Sequence, residues 1–434
     1  MRGTALLSGI DFNAGMLYNQ LCPAYRHIAG NMLSGWLPKM KYDFTTVINR
    51  AGTGSIKWDD MLRKNPSVND EALPMSIADM DFYPAPEIVQ GLKNYLDTAV
   101  LGYTHATNSY YEAVVRWMGT RHNYTIEKDW VIVTPGVVPA LFQMVKAFTN
   151  PGDGVIVMPP VYFPFMNAIR ANGRHVVDNP LVIRNDSYEI DYEGLERVAS
   201  EPGNTLLLLS NPHNPAGRVW TREELERICQ ICLKNGVFVV CDEIHQDIIM
   251  PGNHHTVYAN VSAEASENCA VCTAPSKTFN LAAMYTSNII IQDPKRRKAM
   301  IDSMGKSSLF CVNALGYRAC EIAYNECGQW LDGLIEVIDS NRKLAEDIFA
   351  RDLPQARVYP LEGTYLLWVD FGGIGIDQDT LEQLFYCEAQ VFPNDGRMFG
   401  QGGEGFFRFN IACPSTLLEK ALNRIGRVLK NAAK

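Results

Sequence analysis

"TLLLLSNPHNPAGRVWTREELERICQICLKNGVFVVCDEIHQD", residues 205–247, reads as strand, loop, helix and strand in succession. Its first run, Thr205 to Ser210, is nearly all apolar, and so is its last, Val237 to Cys241. Short uninterrupted apolar runs suit strands buried on both faces. Between them Thr221 and Glu224 form a capping-box pattern that opens a helix, and Gly236 closes it. Two buried strands joined by such a helix lie parallel in one sheet, which makes the chain α/β.

The same alternation extends outward, from about residue 90 to 300. Further strands read "WVIVTPG" (130–136), "GVIVMPP" (154–160), "CAVCTAP" (269–275) and "SNIIIQD" (287–293). After about residue 325 the pattern changes. "GQWLDGLIEVIDSNRKLAEDIFARD" (328–352) has the period of one long amphipathic helix. "ARVYPLEGTYLLWVDF" (356–371) and "EGFFRFNIACP" (404–414) read as strands of a smaller sheet, and "TLLEKALNRIGRVLKNA" (416–432) as a last helix. The expected architecture is a large domain over 86–324, with a mostly parallel sheet and helices on both faces. A smaller α+β domain combines 41–85 with 325–434, and residues 1–40 form an N-terminal extension.

Composition narrows the function. A net charge of −9, with no basic patch or arginine-rich run, argues against a nucleic-acid partner. No stretch is apolar for long enough to span a bilayer, so no membrane partner is expected. The first forty residues lack the pattern of a signal peptide. Eleven cysteines, an odd number in a long chain, suggest reduced thiols and a cytoplasmic location. Cys229/Cys232 and Cys269/Cys272 form two CxxC pairs that could sketch a zinc site. The first pair has helical core spacing. The second sits on a strand, where residues three apart face opposite sides. We therefore expect no metal.

In an open α/β sheet ligands bind beyond the carboxyl ends of the strands. Gly136, Val137 and Val138 stand after the first strand, where a glycine turn opening a helix presents N–H groups to a phosphate. Tyr162 follows the second. Asn211 and Asn214, with two prolines, follow the third. Asp242 ends the fourth, with His245 close behind, and a buried acid needs a partner or must protonate. Lys277 follows the fifth in "CTAPSKTFN" (272–280), and an unpaired buried ammonium is costly unless its amine is a reagent. Singly, each has a bland reading as turn, core or solvated loop. Together they suit a ligand with a phosphate, an aldehyde and a pyridine ring, which is pyridoxal 5′-phosphate. Lys277 captures the aldehyde, Asp242 pairs with the ring nitrogen, Asn214 meets the ring oxygen, Tyr162 stacks and the glycine turn holds the phosphate.

"NPHNPAGRVWTREEL", "VVCDEIHQD", "CTAPSKTFNLA" and "FRFNIACP" resemble the fold-type I pyridoxal-phosphate enzymes of the class I/II aminotransferase superfamily. "LPMSIADMDF", "LGYTHATNSYYEAVVRWM" and "TPGVVPAL" resemble, more narrowly, its MalY/PatB branch of cystathionine β-lyase-type C–S lyases. The likeness runs from about residue 41 to the C-terminus. It implies that Lys277 is the imine-forming lysine and proton shuttle, and that His245 stands where many aminotransferases carry tyrosine. It implies that Ser276 lies near the phosphate and that Tyr103 reaches the phosphate of a neighbouring subunit in a homodimer with shared active sites. It implies that Arg408 clamps the substrate carboxylate, against the alternative of a structural ion pair. The chain departs from the pattern at Ala274, often a phosphate-binding serine, and at Tyr285, often an arginine. Thr273 or Ser276 could fill the gap. Ser76 replaces a frequent tryptophan.

The resemblance implies β-elimination from cystathionine or related L-cysteine S-conjugates, giving thiol, pyruvate and ammonia. Transamination between an amino acid and a 2-oxo acid is the alternative. It needs the same residues up to loss of the Cα proton. A non-catalytic binding protein is the third reading, and the intact set of Lys277, Asp242, Asn214 and Arg408 speaks against it.

Overall fold

The computed structural model of the protein describes residues 42–310 and 312–432. The expected extension, residues 1–40, lies outside the described residues. Seven strands form the large sheet: β1 (Val131–Thr134), β2 (Gly154–Val157), β3 (His175–Asp178), β4 (Asn204–Ser210), β5 (Phe238–Asp242), β6 (Cys269–Thr273) and β7 (Ser287–Ile290). Their order is β1-β7-β6-β5-β4-β2-β3. All pairings are parallel except those of β7, which is antiparallel to both β1 and β6. Strand β3 is absent from the sequence reading. It is an edge strand whose two end residues are exposed, so it lacks the continuous apolar run that marks the others.

Period-two alternation distributes each inner strand between two cores. Leu207, Leu209, Val239 and Cys241 face one apolar layer, while Leu206, Leu208, Phe238 and Val240 face the other. Helix α1 (Val137–Phe148) supplies Ala140, Leu141 and Met144 to the second layer. Helix α2 (Arg222–Asn235) supplies Leu225, Ile228, Cys229 and Cys232 to the first. Each fully buried leucine contributes about 2 kcal/mol of apolar burial. The cap of α2 forms as the sequence indicates. Thr221 accepts from the Glu224 N–H, the Glu224 side chain accepts from the Thr221 N–H, and Gly236 closes the helix with φ 69°. Cys269 and Cys272 lie on opposite faces of β6, one in each core.

A second sheet has four strands, β8 (Arg357–Val358), β9 (Leu366–Asp370), β10 (Asn394–Asp395) and β11 (Phe406–Asn410), in the order β8-β9-β11-β10. Helix α3 is the short turn Pro275–Thr278 after β6, and two longer helices, α4 (Gly328–Asp352) and α5 (Ser415–Ala432), accompany the second sheet. The segment 73–82 belongs with this region. Leu73–Pro74 pairs with Val391–Phe392, and the Asn410 N–H donates to the Met75 carbonyl at 2.8 Å. That path carries residues 77–82 along the second sheet to the strand ends of the first.

Candidate active site

The carboxyl ends of the large sheet open on a cavity of about 220 Å³. Gly136, Val137, Val138, Tyr162, Asn214, Asp242, His245, Ser276 and Lys277 all line it. A more open groove of about 830 Å³ lies beside the helices Pro86–Leu96 and Ala314–Glu326 and takes in none of these groups. Chemistry rather than volume therefore selects the smaller cavity.

Each group is delivered by a strand end. Gly136 leaves β1 with φ 134°, a conformation that L side chains rarely adopt, and caps α1 so that the N-terminus of that helix faces the cavity. Asp242 is the last residue of β5 and is fully buried. Its carboxylate accepts one hydrogen bond, from the Ile244 N–H at 3.2 Å. Burial, with little to answer its charge, pushes its pKa up to about 7. His245 is buried with no partner for Nδ1, and burial first, then Lys277 and Arg408, drives its pKa well below the ordinary value. The imidazole is neutral. Tyr162 is raised to about 12 by burial and by Asp242.

Lys277 sits in the short turn α3 rather than on the strand itself. Its Nζ donates to the Ala78 carbonyl at 2.6 Å. Burial lowers its pKa to about 8, against the pull of Asp79 and Asp242 and with the push of Arg408. The turn is pinned from behind. The next residue, Thr278, donates through Oγ1 to Asp247 at 2.6 Å, and that buried carboxylate also receives the Trp117 Nε1–H at 3.0 Å and meets His122 Nε2 at 2.7 Å. The opposing loop is fixed as firmly. Tyr365 donates to the Ala78 carbonyl at 2.9 Å, Asn410 Nδ2 to the carbonyls of Ile77 and Asp79 at 2.8 and 2.6 Å, and Asn280 Nδ2 to those of Met80 and Phe82 at 3.0 and 2.9 Å.

Arg408, on β11, is buried and reaches across to the first sheet. Its guanidinium donates to Asn214 Oδ1 at 2.8 Å and to Asn394 Oδ1 at 2.7 Å, and its Nε has no partner. Among the described residues no carboxylate pairs with it, which removes the alternative of a structural ion pair. Burial holds its pKa at about 10. A buried guanidinium held by neutral amides is ready for a ligand carboxylate.

The structure also sorts the departures. Ser276 lines the cavity, whereas Thr273 is buried outside it. Tyr285, Thr286 and Ser287 join the lining. Tyr103 is fully exposed and lies outside this chain's cavity. Sequence reasoning did not find Ala78, Tyr365, Asn394 or Asp247. Ala78 acts through a backbone carbonyl, which no residue type announces. The others depend on pairings across long stretches of chain. The acids of "IADMDF", set in an apolar stretch, were a usable signal for that loop.

The residues present fit pyridoxal phosphate. The cavity holds an amine of depressed pKa, an under-satisfied carboxyl, a neutral histidine and a helix N-terminus, and an arginine without a counter-ion adjoins it. The fold and this set of strand-end groups define a class of protein, and the comparisons agree. A family model described as aminotransferase class I and II matches residues 72–425, and the chain belongs to that family. It is 41% identical over 380 residues to the cystathionine beta-lyase PatB of Bacillus subtilis (strain 168), covering 88% of this chain and 98% of that protein. It is 31% identical over 383 residues to the protein MalY of Escherichia coli (strain K12), covering 88% and 97%. Among solved structures, cystalysin from Treponema denticola, which contains pyridoxal 5′-phosphate, superposes with a TM-score of 0.89 at 45% identity, covering 91% of this chain and all of that one.

Proposed function

We propose that the protein is a pyridoxal-phosphate-dependent C–S lyase. It cleaves cystathionine or a related L-cysteine S-conjugate by β-elimination to a thiol, pyruvate and ammonia. The observation that carries the chemistry is the half-buried Lys277, without an ion-pair partner, in one cavity with Asp242, with Arg408 held nearby by Asn214. The choice of elimination rests on the likeness over nearly full length to PatB and MalY.

When bound, the cofactor supplies an aldehyde for amines and a protonated ring that draws electrons from Cα. Asp242, at the end of β5 and lining the cavity, would hold the proton on the ring nitrogen. Arg408 fixes the substrate carboxylate and so sets which Cα bond is presented. Lys277 would take the Cα proton. A pKa of about 8 suits a base working near neutral pH. The Ala78 carbonyl and the Asp247–Thr278 bond aim that amine. The C–S electron pair leaves with the thiolate.

The exposed phenol of Tyr103 supports a homodimer in which each copy completes the other's site. We place the enzyme in the cytoplasm, since eleven cysteines, an odd number spread along a long chain, suit reduced thiols better than a disulfide framework. No described helix is long and apolar enough to cross a membrane.

L-cystathionine alone, with pyridoxal phosphate and no keto acid, tests the reading. Continuous release of pyruvate and thiol is expected, with none from Lys277→Ala. Amino transfer seen only after 2-oxoglutarate and a donor amino acid are added would replace elimination by transamination.

A further inference from the structure

The phosphate end of the cavity is built from neutral groups. Strand β7 runs antiparallel beside β1, with Ser287 opposite Thr134. That register sets Tyr285 and Thr286, which lead into β7, beside the Gly136 turn, which leaves β1. Tyr285, Thr286, Ser287, Ser276 and Gly136 all line the cavity. Among its described lining residues the one lysine or arginine is Lys277, and that amine is turned to Ala78. A phosphate here meets the partial positive charge of the α1 N-terminus and no full cationic charge beside it.

The backbone of Tyr285 is unusual. It caps the turn Ala282–Met284 in the left-handed region, at φ 46° and ψ 55°. Bulky side chains rarely adopt that conformation, and an outlier beside a ligand cavity points to a use. Core packing does not compel it, because the residue is 61% exposed.

We propose that Tyr285 is a phosphate-binding residue, its phenol donating a neutral hydrogen bond where the family pattern leads one to expect a guanidinium. The inference rests on the cofactor reading above and deepens it. The observations behind it are the residue's place in the cavity lining beside the Gly136 turn and its left-handed backbone.

The test compares two ligands on the full-length protein stripped of cofactor, with tryptophan fluorescence as the readout. Pyridoxal phosphate carries the phosphate and pyridoxal does not. Tyr285→Phe is expected to bind pyridoxal phosphate about tenfold more weakly, the size of one lost hydrogen bond, and pyridoxal as the unaltered protein does. Tyr285→Gly is expected to weaken pyridoxal phosphate binding as well, while the melting temperature of the cofactor-free protein holds or rises as the left-handed strain is relieved. Equal affinity of Tyr285→Phe and the unaltered protein for pyridoxal phosphate would overturn the proposal. So would an equal loss for both ligands. Failure of the unaltered protein to bind pyridoxal phosphate at all would instead overturn the cofactor reading on which it rests.

Discussion

Two groups of buried charge meet at adjacent residues, 78 and 79, and the protein treats them in opposite ways. In the first, Lys57 is 1% exposed and meets Asp81 at 2.7 Å and Asp79 at 3.1 Å. Arg50 closes the group on the same two acids at 3.0 and 2.8 Å. In the second, Asp242 and Arg408 are buried and Lys277 is half-buried at the cavity, yet none has an ion-pair partner among the described residues. A carbonyl, one backbone N–H and two amides are what they have. Burying a charge is expensive, and a structural charge brings its counter-charge with it. A charge kept buried without one is reserved for a ligand.

That contrast can be broken in order of effect. Lys277→Ala should lower turnover by a factor of about 10⁴ or more, as it removes both the imine-forming amine and the base. The melting temperature of its cofactor-free form should hold or rise, because an unpaired ammonium has gone. Lys57→Met should do the reverse. Leaving Asp81 and Asp79 with Arg50 alone should cost about 3 kcal/mol in urea unfolding. A smaller loss than Lys277→Ala shows would erase the distinction between the two groups.

Asp242 sharpens it through pH. Its folded pKa, about 7, lies above the ordinary 3.8. Between those values the folded protein keeps a proton that the unfolded chain has released, so this group's contribution to stability falls as pH rises through the window. Cofactor-free Asp242→Asn should therefore melt above the unaltered protein at pH 8, with the gap closing toward pH 4. Its cofactor-dependent turnover should fall. A gap independent of pH would contradict the raised pKa. Thr221→Ala sets the floor. Far from both groups, it should cost about 1 kcal/mol of stability through the lost cap and leave turnover unchanged.

What could be read in the sequence follows the same division. Strands β1, β2, β4, β5, β6 and β7 were legible because burial on both faces writes a continuous apolar run. Edge strand β3 and the two-residue strand β10 leave no such mark. In the site, groups at strand ends were legible because the fold collects them by rule. Contacts between distant segments were not. Arg408 meets Asn214 across 194 residues, and His122 meets Asp247 across 125. Lys57 had a faint signal, a lysine four residues before Met61 on the inward face of the helix Ile56–Lys64. The acids that answer it lie on a loop whose path only the second sheet determines.

The most direct test asks which lysine, Lys57 or Lys277, is the reagent. The protein, saturated with pyridoxal phosphate, is reduced with borohydride, digested, and its peptides weighed. The account predicts loss of the yellow absorbance band and one pyridoxyl group per chain, on the peptide carrying Lys277. A colourless protein that takes up no label, or a label on any other lysine, would contradict it.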